Sequence, residues 1–315
     1  MRALAATGDA RLVDVVRVPE PAAAPGEVLV EVRAVSVNRG ELHRLATATA
    51  GWRPGWDLAG VVAGAVPPVP ARGADRIVPG TRVLGMVAGG SWAERVAVPV
   101  GQLAVVPDDL PLERAAALPT AGLTALRALR VPGDLAGRTV LVTGAAGGVG
   151  RFAVQLARRS GATVTAVAGR PERRQGLAGL GATEVVVGVE ALEAVFDLVL
   201  ESVGGESLRE ALRLVAPRGT VVSFGDSSRA TTRLRVSDFY PKEATMRGFY
   251  VLNDLASART ADDLACLVRL AATGELKIDT PVTAGWEDVR ATLRALRERR
   301  LAGKAVLLVS AAGEA

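Results

Sequence analysis

Two textures of apolar positions divide this chain of 315 residues. Up to about residue 115, short Val-rich runs stand between glycines and prolines, at residues 27–35, 58–66, 82–87 and 92–98. Such runs bounded by turn residues predict strands. The Pro-rich piece at 66–70 and the Gly80 turn punctuate them. The opening residues 1–21 read as two further short strands. Together they predict a β-barrel-like domain, Greek-key or partly open. Residues 112–130 read as helical, with a break at Pro119.

From Arg138 the pattern alternates between strand and helix. Strands are expected at 140–143, 163–167, 184–187, 196–200 and 220–224, with a possible sixth at 246–252. Helices are expected near 171–180, at 207–214 and at 262–272, the last closing the unit. This alternation predicts a parallel sheet covered on both faces. The tail from Glu275 changes texture again, with a helix at 286–299 and a strand at 304–309. It is expected to fold back onto the first domain, which is then discontinuous in sequence.

The stretch 139–159 organises the second texture. A buried strand leads into the turn Gly144-Ala145-Ala146-Gly147-Gly148-Val149-Gly150. An amphipathic helix follows, with Phe152, Ala153, Leu156 and Ala157 on one face. Strand, tight glycine turn and helix make a pyrophosphate cradle. Side chains in the turn would block the backbone's approach to phosphate, and the helix N-terminus offers free N–H groups and partial positive charge. Ala146, Gly147, Gly148, Val149 and Gly150 are therefore candidate cofactor contacts.

Composition narrows the picture. The chain is 49% hydrophobic but only 3% aromatic, so Ala, Val and Leu must fill its cores. The net charge of +5 comes from scattered arginines with no block of like charge, which argues against a nucleic-acid partner. One cysteine, Cys266, permits no disulfide framework and leads us to expect a cytoplasmic setting. No signal peptide or uninterrupted apolar run of membrane-spanning length is read.

The end of the second alternating strand bears on which dinucleotide is bound. An acid there would hold the adenosine ribose hydroxyls and favour NAD. The chain instead reads Ala168-Gly169-Arg170-Pro171-Glu172-Arg173-Arg174. Gly169 leaves space, and the arginines suit a 2′-phosphate through bidentate contacts. NADPH is the expected cofactor, with Arg170 and Arg174 as phosphate contacts. Solvated helix residues are the alternative for Arg173 and Arg174.

Several segments in order carry a resemblance over essentially the whole chain. They are Val37-Asn38, the stretch PGWDLAGVV at 54–62, Gly80-Thr81-Arg82-Val83, AAALPTAGLTA at 115–125, the AAGGVG turn and Gly303-Lys304-Ala305-Val306-Leu307. In these the chain resembles the medium-chain dehydrogenase/reductase superfamily, in its zinc-free quinone oxidoreductase and enoyl reductase branch. The resemblance implies an α/β architecture: a Rossmann-like doubly wound parallel sheet at 118–274, plus a GroES-like β-barrel substrate domain at 1–117 and 275–315. It places the nicotinamide in the cleft between them.

Zinc-dependent relatives hold a catalytic metal at places matching Asn38, Trp56 and Thr120, none of them a plausible zinc ligand here. One cysteine cannot build the four-cysteine structural zinc lobe. The resemblance therefore implies metal-free hydride transfer to an activated C=C bond or quinone, in an enone, quinone or enoyl thioester. The developing enolate would need only hydrogen-bond donors and a proton source. A biosynthetic tailoring enzyme with a larger polyketide-like substrate and a non-catalytic NADPH-binding protein are the alternatives.

By the same resemblance, Asn38 approaches the nicotinamide ribose or substrate oxygen, and Thr124 meets the nicotinamide side. Ser202, Val203, Phe224 and Gly225 lie at strand carboxyl ends. Phe249, Tyr250 and Val251 offer backbone to the carboxamide, unless Phe249 is simple core. Lys304 points toward the nucleotide. Among candidate catalytic groups, His43, the only histidine, is a possible general acid or a surface residue of a short helix at 41–46. Glu41 is expected to order its loop. The tyrosine that many reductases of this branch place near 47–52 is missing, which leaves Tyr240 or water as a donor. Trp52, Trp56 and Trp92 could wall an apolar substrate, with packing preferred for Trp56. A homodimer paired through exposed sixth strands is implied, the apolar run 248–252 fitting such an edge.

Overall fold

The computed structural model describes residues 1–64, 77–280 and 282–310. The Pro-rich piece at 66–70 lies outside them, as does the end of the expected strand at 58–66.

In chain order the first strands are β1 (Arg2–Ala6), β2 (Val13–Arg17) and β3 (Glu27–Val37). Helix α1 (Arg39–Leu45) precedes β4 (Asp57–Ala63), β5 (Arg82–Met86), β6 (Arg95–Pro99) and β7 (Leu103–Val105). Helices α2 (Leu112–Ala115) and α3 (Pro119–Leu129) lead to β8 (Thr139–Val142), α4 (Gly148–Arg159), β9 (Thr163–Ala168) and β10 (Glu184–Val187). Then come β11 (Phe196–Glu201), α5 (Glu206–Leu214), β12 (Val215–Ser223), β13 (Thr245–Gly248) and α6 (Thr260–Ala272). The last elements are β14 (Val282–Gly285), α7 (Val289–Arg297) and β15 (Ala305–Leu308). No helix among the described residues is long and apolar enough to cross a membrane.

These elements form two compact units, residues 1–123 with 251–315, and residues 124–250. In the first, a seven-stranded sheet runs β14-β15-β3-β4-β5-β7, with β6 also paired to β3. Alternation along β3 sends Val28, Val30, Val32 and Ala34 into the core. The tail does return: β15 lies antiparallel to β3, with Ala305 opposite Val37. Helix α6, expected at the close of the alternating region, packs against β7 in this unit. A Cβ on Gly122 would lie 2.8 Å from the Leu267 side chain, so a glycine in α3 lets α6 approach.

The second unit is a six-stranded parallel sheet in the order β10-β9-β8-β11-β12-β13. The order in which successive strands are added reverses between β8 and β11, which run parallel, and ligands of open α/β sheets bind at that switch point. Two expectations are corrected here. Residues 171–180 form only short 3-10 turns, Pro171–Arg174 and Ala178–Leu180. Gly176 and Gly181, at φ +81° and +106°, stop an α-helix from propagating. The sixth strand ends at Gly248, so the apolar run 248–252 is not an exposed edge strand. Val251 instead enters a 3-10 turn and is buried. β13 is one of the sheet's two edge strands, β10 the other, and is exposed at every residue.

Candidate functional site

Each unit presents a site that can be built from its own residues. In the second unit, β8 delivers the chain to Gly144 at φ +57°. Ala145 N donates to Val167 O at 3.0 Å, tying the turn to β9, and Gly147 N donates to Gly144 O at 2.9 Å. Helix α4 then starts at Gly148 with no side chain capping its N-terminal N–H groups. A Cβ on Gly150 would stand 2.5 Å from Gly144 O and 2.6 Å from Ala145 Cα, closer than real contacts allow. The turn can close only on bare backbone. The resulting cradle fits a diphosphate, with uncapped N–H groups and a positive helix end facing an anion.

Beside it, the buried carboxylate of Glu201 closes β11. It accepts from Val203 N at 2.9 Å, Gly204 N at 3.1 Å, the Ser207 hydroxyl at 3.0 Å and the Thr143 hydroxyl at 3.2 Å. Thr143 in turn accepts from Ser202 N at 3.0 Å. The amides of Ser202 and Val203 are thus spent inside the loop. Burial pushes the Glu201 carboxyl up, against the pull of those donors. Phe224 N bonds Glu201 O at 2.9 Å, which sets Phe224 and Gly225 at the ends of the same strands.

Arg170 and Arg174 are exposed at the two ends of the turn after β9, and Arg173 between them is half-buried. Tyr240 is 63% exposed on a 3-10 turn, so nothing holds its hydroxyl in an enclosed site. Phe249 is half-buried rather than core, and Tyr250 is exposed. Thr124 is buried on α3.

In the first unit, a polar cluster sits among apolar residues. Asp57, fully buried at the start of β4, is its centre. One carboxylate oxygen accepts from Thr120 N at 2.8 Å and from the Thr120 hydroxyl. The other accepts from the Ser36 hydroxyl, from Asn38 Nδ2 at 2.9 Å and from Lys304 Nζ at 3.3 Å. Lys304 Nζ also donates to Asn38 Oδ1 at 2.5 Å. Both ends of the Asn38 amide are therefore engaged, each by one bond, so one N–H and one carbonyl lone pair remain. Backbone capping fixes Asn38, since it is the N-cap of α1 and its N–H donates to Glu41 Oε2 at 2.7 Å. Glu41 Oε1 accepts from Trp56 N at 2.7 Å, joining α1 to the strand that carries Asp57. Glu41 orders the loop as expected of it.

The tryptophans correct the wall reading. Trp92 is wholly buried in the hydrophobic core, and Trp56 is buried with its ring against Gly40, where a Cβ would lie 2.3 Å away. Trp52 is partly buried on that core beneath Arg44 at 5.1 Å. His43 is half-buried on α1. Sequence reasoning missed Asp57, Ser36 and Glu201 as organising groups. An acid closing an otherwise apolar strand before Ser-Val-Gly-Gly was the available signal for Glu201.

Burial raises the Glu41 carboxyl from 4.5 to about 8, and the nearby Asp57 charge adds to it; the Asn38 and Trp56 amides and Lys304 oppose. The folded chain therefore holds a proton on Glu41 that the unfolded chain releases above pH 4.5. Stability falls as pH rises toward 8, by about 1.4 kcal/mol per unit from this group alone. Melting temperature should drop between pH 5.5 and 8.5, and Glu41→Gln should flatten that slope. An unchanged slope in the variant would refute the assignment.

Comparison with known proteins follows the same division. The alcohol dehydrogenase GroES-like domain model matches residues 24–108, and the zinc-binding dehydrogenase model matches 148–272. The chain is 36% identical over 96% of its length to the spectinabilin polyketide synthase system protein NorB of Streptomyces orinoci. It is 38% identical over 90% of its length to erythronolide synthase EryA2 of Saccharopolyspora erythraea. It spans only 14% and 8% of those proteins. Among solved structures, a mycobacterial protein complexed with NADPH superimposes with a TM-score of 0.86 at 25% identity, over 98% of this chain and 100% of that one. The Escherichia coli quinone oxidoreductase complexed with NADPH gives 0.86 at 22% identity with the same coverage, a likeness of fold.

Proposed function

The chain belongs to the medium-chain dehydrogenase/reductase family, and on that premise we propose that it is an NADPH-dependent reductase working without a metal. Its acceptor is an activated C=C bond or a quinone. The observation that carries the reading is the bare-backbone cradle at residues 144–150, closed so tightly that no side chain fits at Gly150. Ala146, Gly147, Gly148, Val149 and Gly150 would hold the diphosphate, and Arg170 and Arg174 the 2′-phosphate. Ser202, Val203, Phe224 and Gly225 would line the nucleotide path, with Thr124, Phe249, Tyr250 and Val251 toward the nicotinamide.

When bound, NADPH supplies the hydride. The places of the metal ligands in zinc-dependent relatives hold an amide, an indole and a hydroxyl committed to other contacts, at Asn38, Trp56 and Thr120. Without a Lewis acid, attack at the carbon β to a carbonyl is favoured over direct carbonyl reduction, because charge then spreads onto an enolate oxygen. Similarity to polyketide synthase components supports an enoyl thioester among the candidate acceptors and keeps a polyketide-tailoring role as the second reading. The lone cysteine supports a cytoplasmic setting, and the exposed edge of β13 supports a homodimer.

Purified protein should oxidise NADPH in preference to NADH with a simple quinone, an enone or an enoyl thioester, at a rate unaffected by a chelator. Tight NADPH binding with no turnover of any acceptor would replace this reading by a non-catalytic one. Loss of activity on chelation would remove the metal-free mechanism.

A further inference from the structure

We propose that Arg151 sets the preference for NADPH over NADH, by holding from the α4 side the turn that carries Arg170 and Arg174. The inference rests on the NADPH reading. Every residue it uses belongs to the unit 124–250. Arg151 follows the last glycine of the cradle and sits in the first turn of α4, where its N–H donates to Gly147 O at 3.0 Å. It is nevertheless only 7% exposed. Arginine is rarely buried to this degree, and a cation at a helix N-terminus works against the macrodipole. An anion seated at the edge of the cradle offsets both costs.

The contacts show what the side chain holds. A Cβ on Gly176 would lie 3.0 Å from Arg151 Nη2, so the guanidinium reaches from α4 to the segment after β9. Gly176 takes φ +81° there, a backbone conformation that favours glycine. It lies in the turn closed by Leu177 N on Arg174 O at 3.2 Å, and the turn before it is closed by Arg173 N on Arg170 O at 3.1 Å. About two turns further along α4, on the same face, Arg158 lays its stem against Gly181, where a Cβ would be 2.9 Å from Arg158 Cγ. The helix therefore holds the segment at two points. The Arg158 point is exposed and lies at the far end of the segment, whereas the Arg151 point is buried and adjoins the turn that Arg174 begins.

This divides the work among the arginines. Arg170 and Arg174 are exposed, so salt screens their attraction to a phosphate. A buried guanidinium is screened less, and its planar fork keeps one orientation. Arg151 is thus a positioning residue. It fixes the backbone at 174–177, and with it the point from which Arg174 reaches the 2′-phosphate. NADH carries only a hydroxyl at that position, so loss of Arg151 should be felt by one nucleotide and not by the other.

Arg151→Met removes the fork and keeps an unbranched side chain. In fluorescence titrations of the purified protein, the variant should bind NADPH about 30-fold more weakly, and NADH within about threefold of wild type. Arg151→Lys keeps the charge without the fork and should recover most of the loss, leaving NADPH binding about fivefold weaker. A cycle with Arg174→Ala reads how Arg151 acts. Because it works through Arg174, the double variant should lose little more than the larger single loss. Three results overturn the proposal: equal weakening of both nucleotides, NADPH binding by Arg151→Met within threefold of wild type, or fully additive losses in the cycle. If Arg151→Met gives no cooperative melting curve, Arg151→Lys carries the test, and unchanged affinity for both nucleotides overturns the proposal. A wild type that binds NADPH no more tightly than NADH overturns the NADPH reading itself, before any variant is made.

Discussion

Replacing Asp57 by alanine should destabilise the chain by about 3–5 kcal/mol, the usual cost of removing one partner from a buried ion pair. The change strands a buried ammonium and leaves the Thr120 amide, two hydroxyls and the Asn38 amide facing a void. Against a total stability of roughly 5–15 kcal/mol, that is a large share. The melting temperature should fall by about 5–8 °C for a chain of 315 residues. The second variant separates charge from packing: Asp57→Ala combined with Lys304→Met removes both ions and should recover part of the loss. Equal melting temperatures for wild type and Asp57→Ala would show that the cluster contributes no stability.

Gly150→Ala should weaken NADPH binding at least 100-fold, about 2.8 kcal/mol at 1.4 kcal/mol per decade. The added methyl meets backbone on the turn, at Gly144 O and Ala145 Cα, and neither can swing aside like a side chain. Relief requires the turn to open, which moves the amides that would face the diphosphate. Gly179→Ala is the control, because its Cβ meets nothing within 4 Å and its φ is not positive. A Gly150→Ala protein that binds NADPH as tightly as the control would show that the phosphates lie elsewhere.

What could be read from the sequence followed the range of the forces involved. The 139–159 stretch declared itself because strand, turn and helix are set by near neighbours. The return of β15 to β3 was legible from the change of texture after Glu275. The spacing of 171–180 reads as a helix, but Gly176 and Gly181 at positive φ break it into short 3-10 turns. The Asp57–Lys304 pair could not be read at all. Its members lie 247 positions apart, and no local pattern distinguishes a buried ion pair from two solvated charges. Asn38 was found by resemblance, but the engagement of both ends of its amide follows only from three-dimensional neighbours.

That separation also has a consequence for biogenesis. Residues 124–250 are contiguous and can collapse on the ribosome as soon as they emerge, while the surrounding unit waits for β15. At roughly 5–20 residues per second, translation leaves Asp57 without its lysine for about 12 to 50 seconds. During that interval the nascent carboxylate must stay hydrated, so the seam of β3 awaiting its last neighbour is where a chaperone would find this polypeptide most exposed.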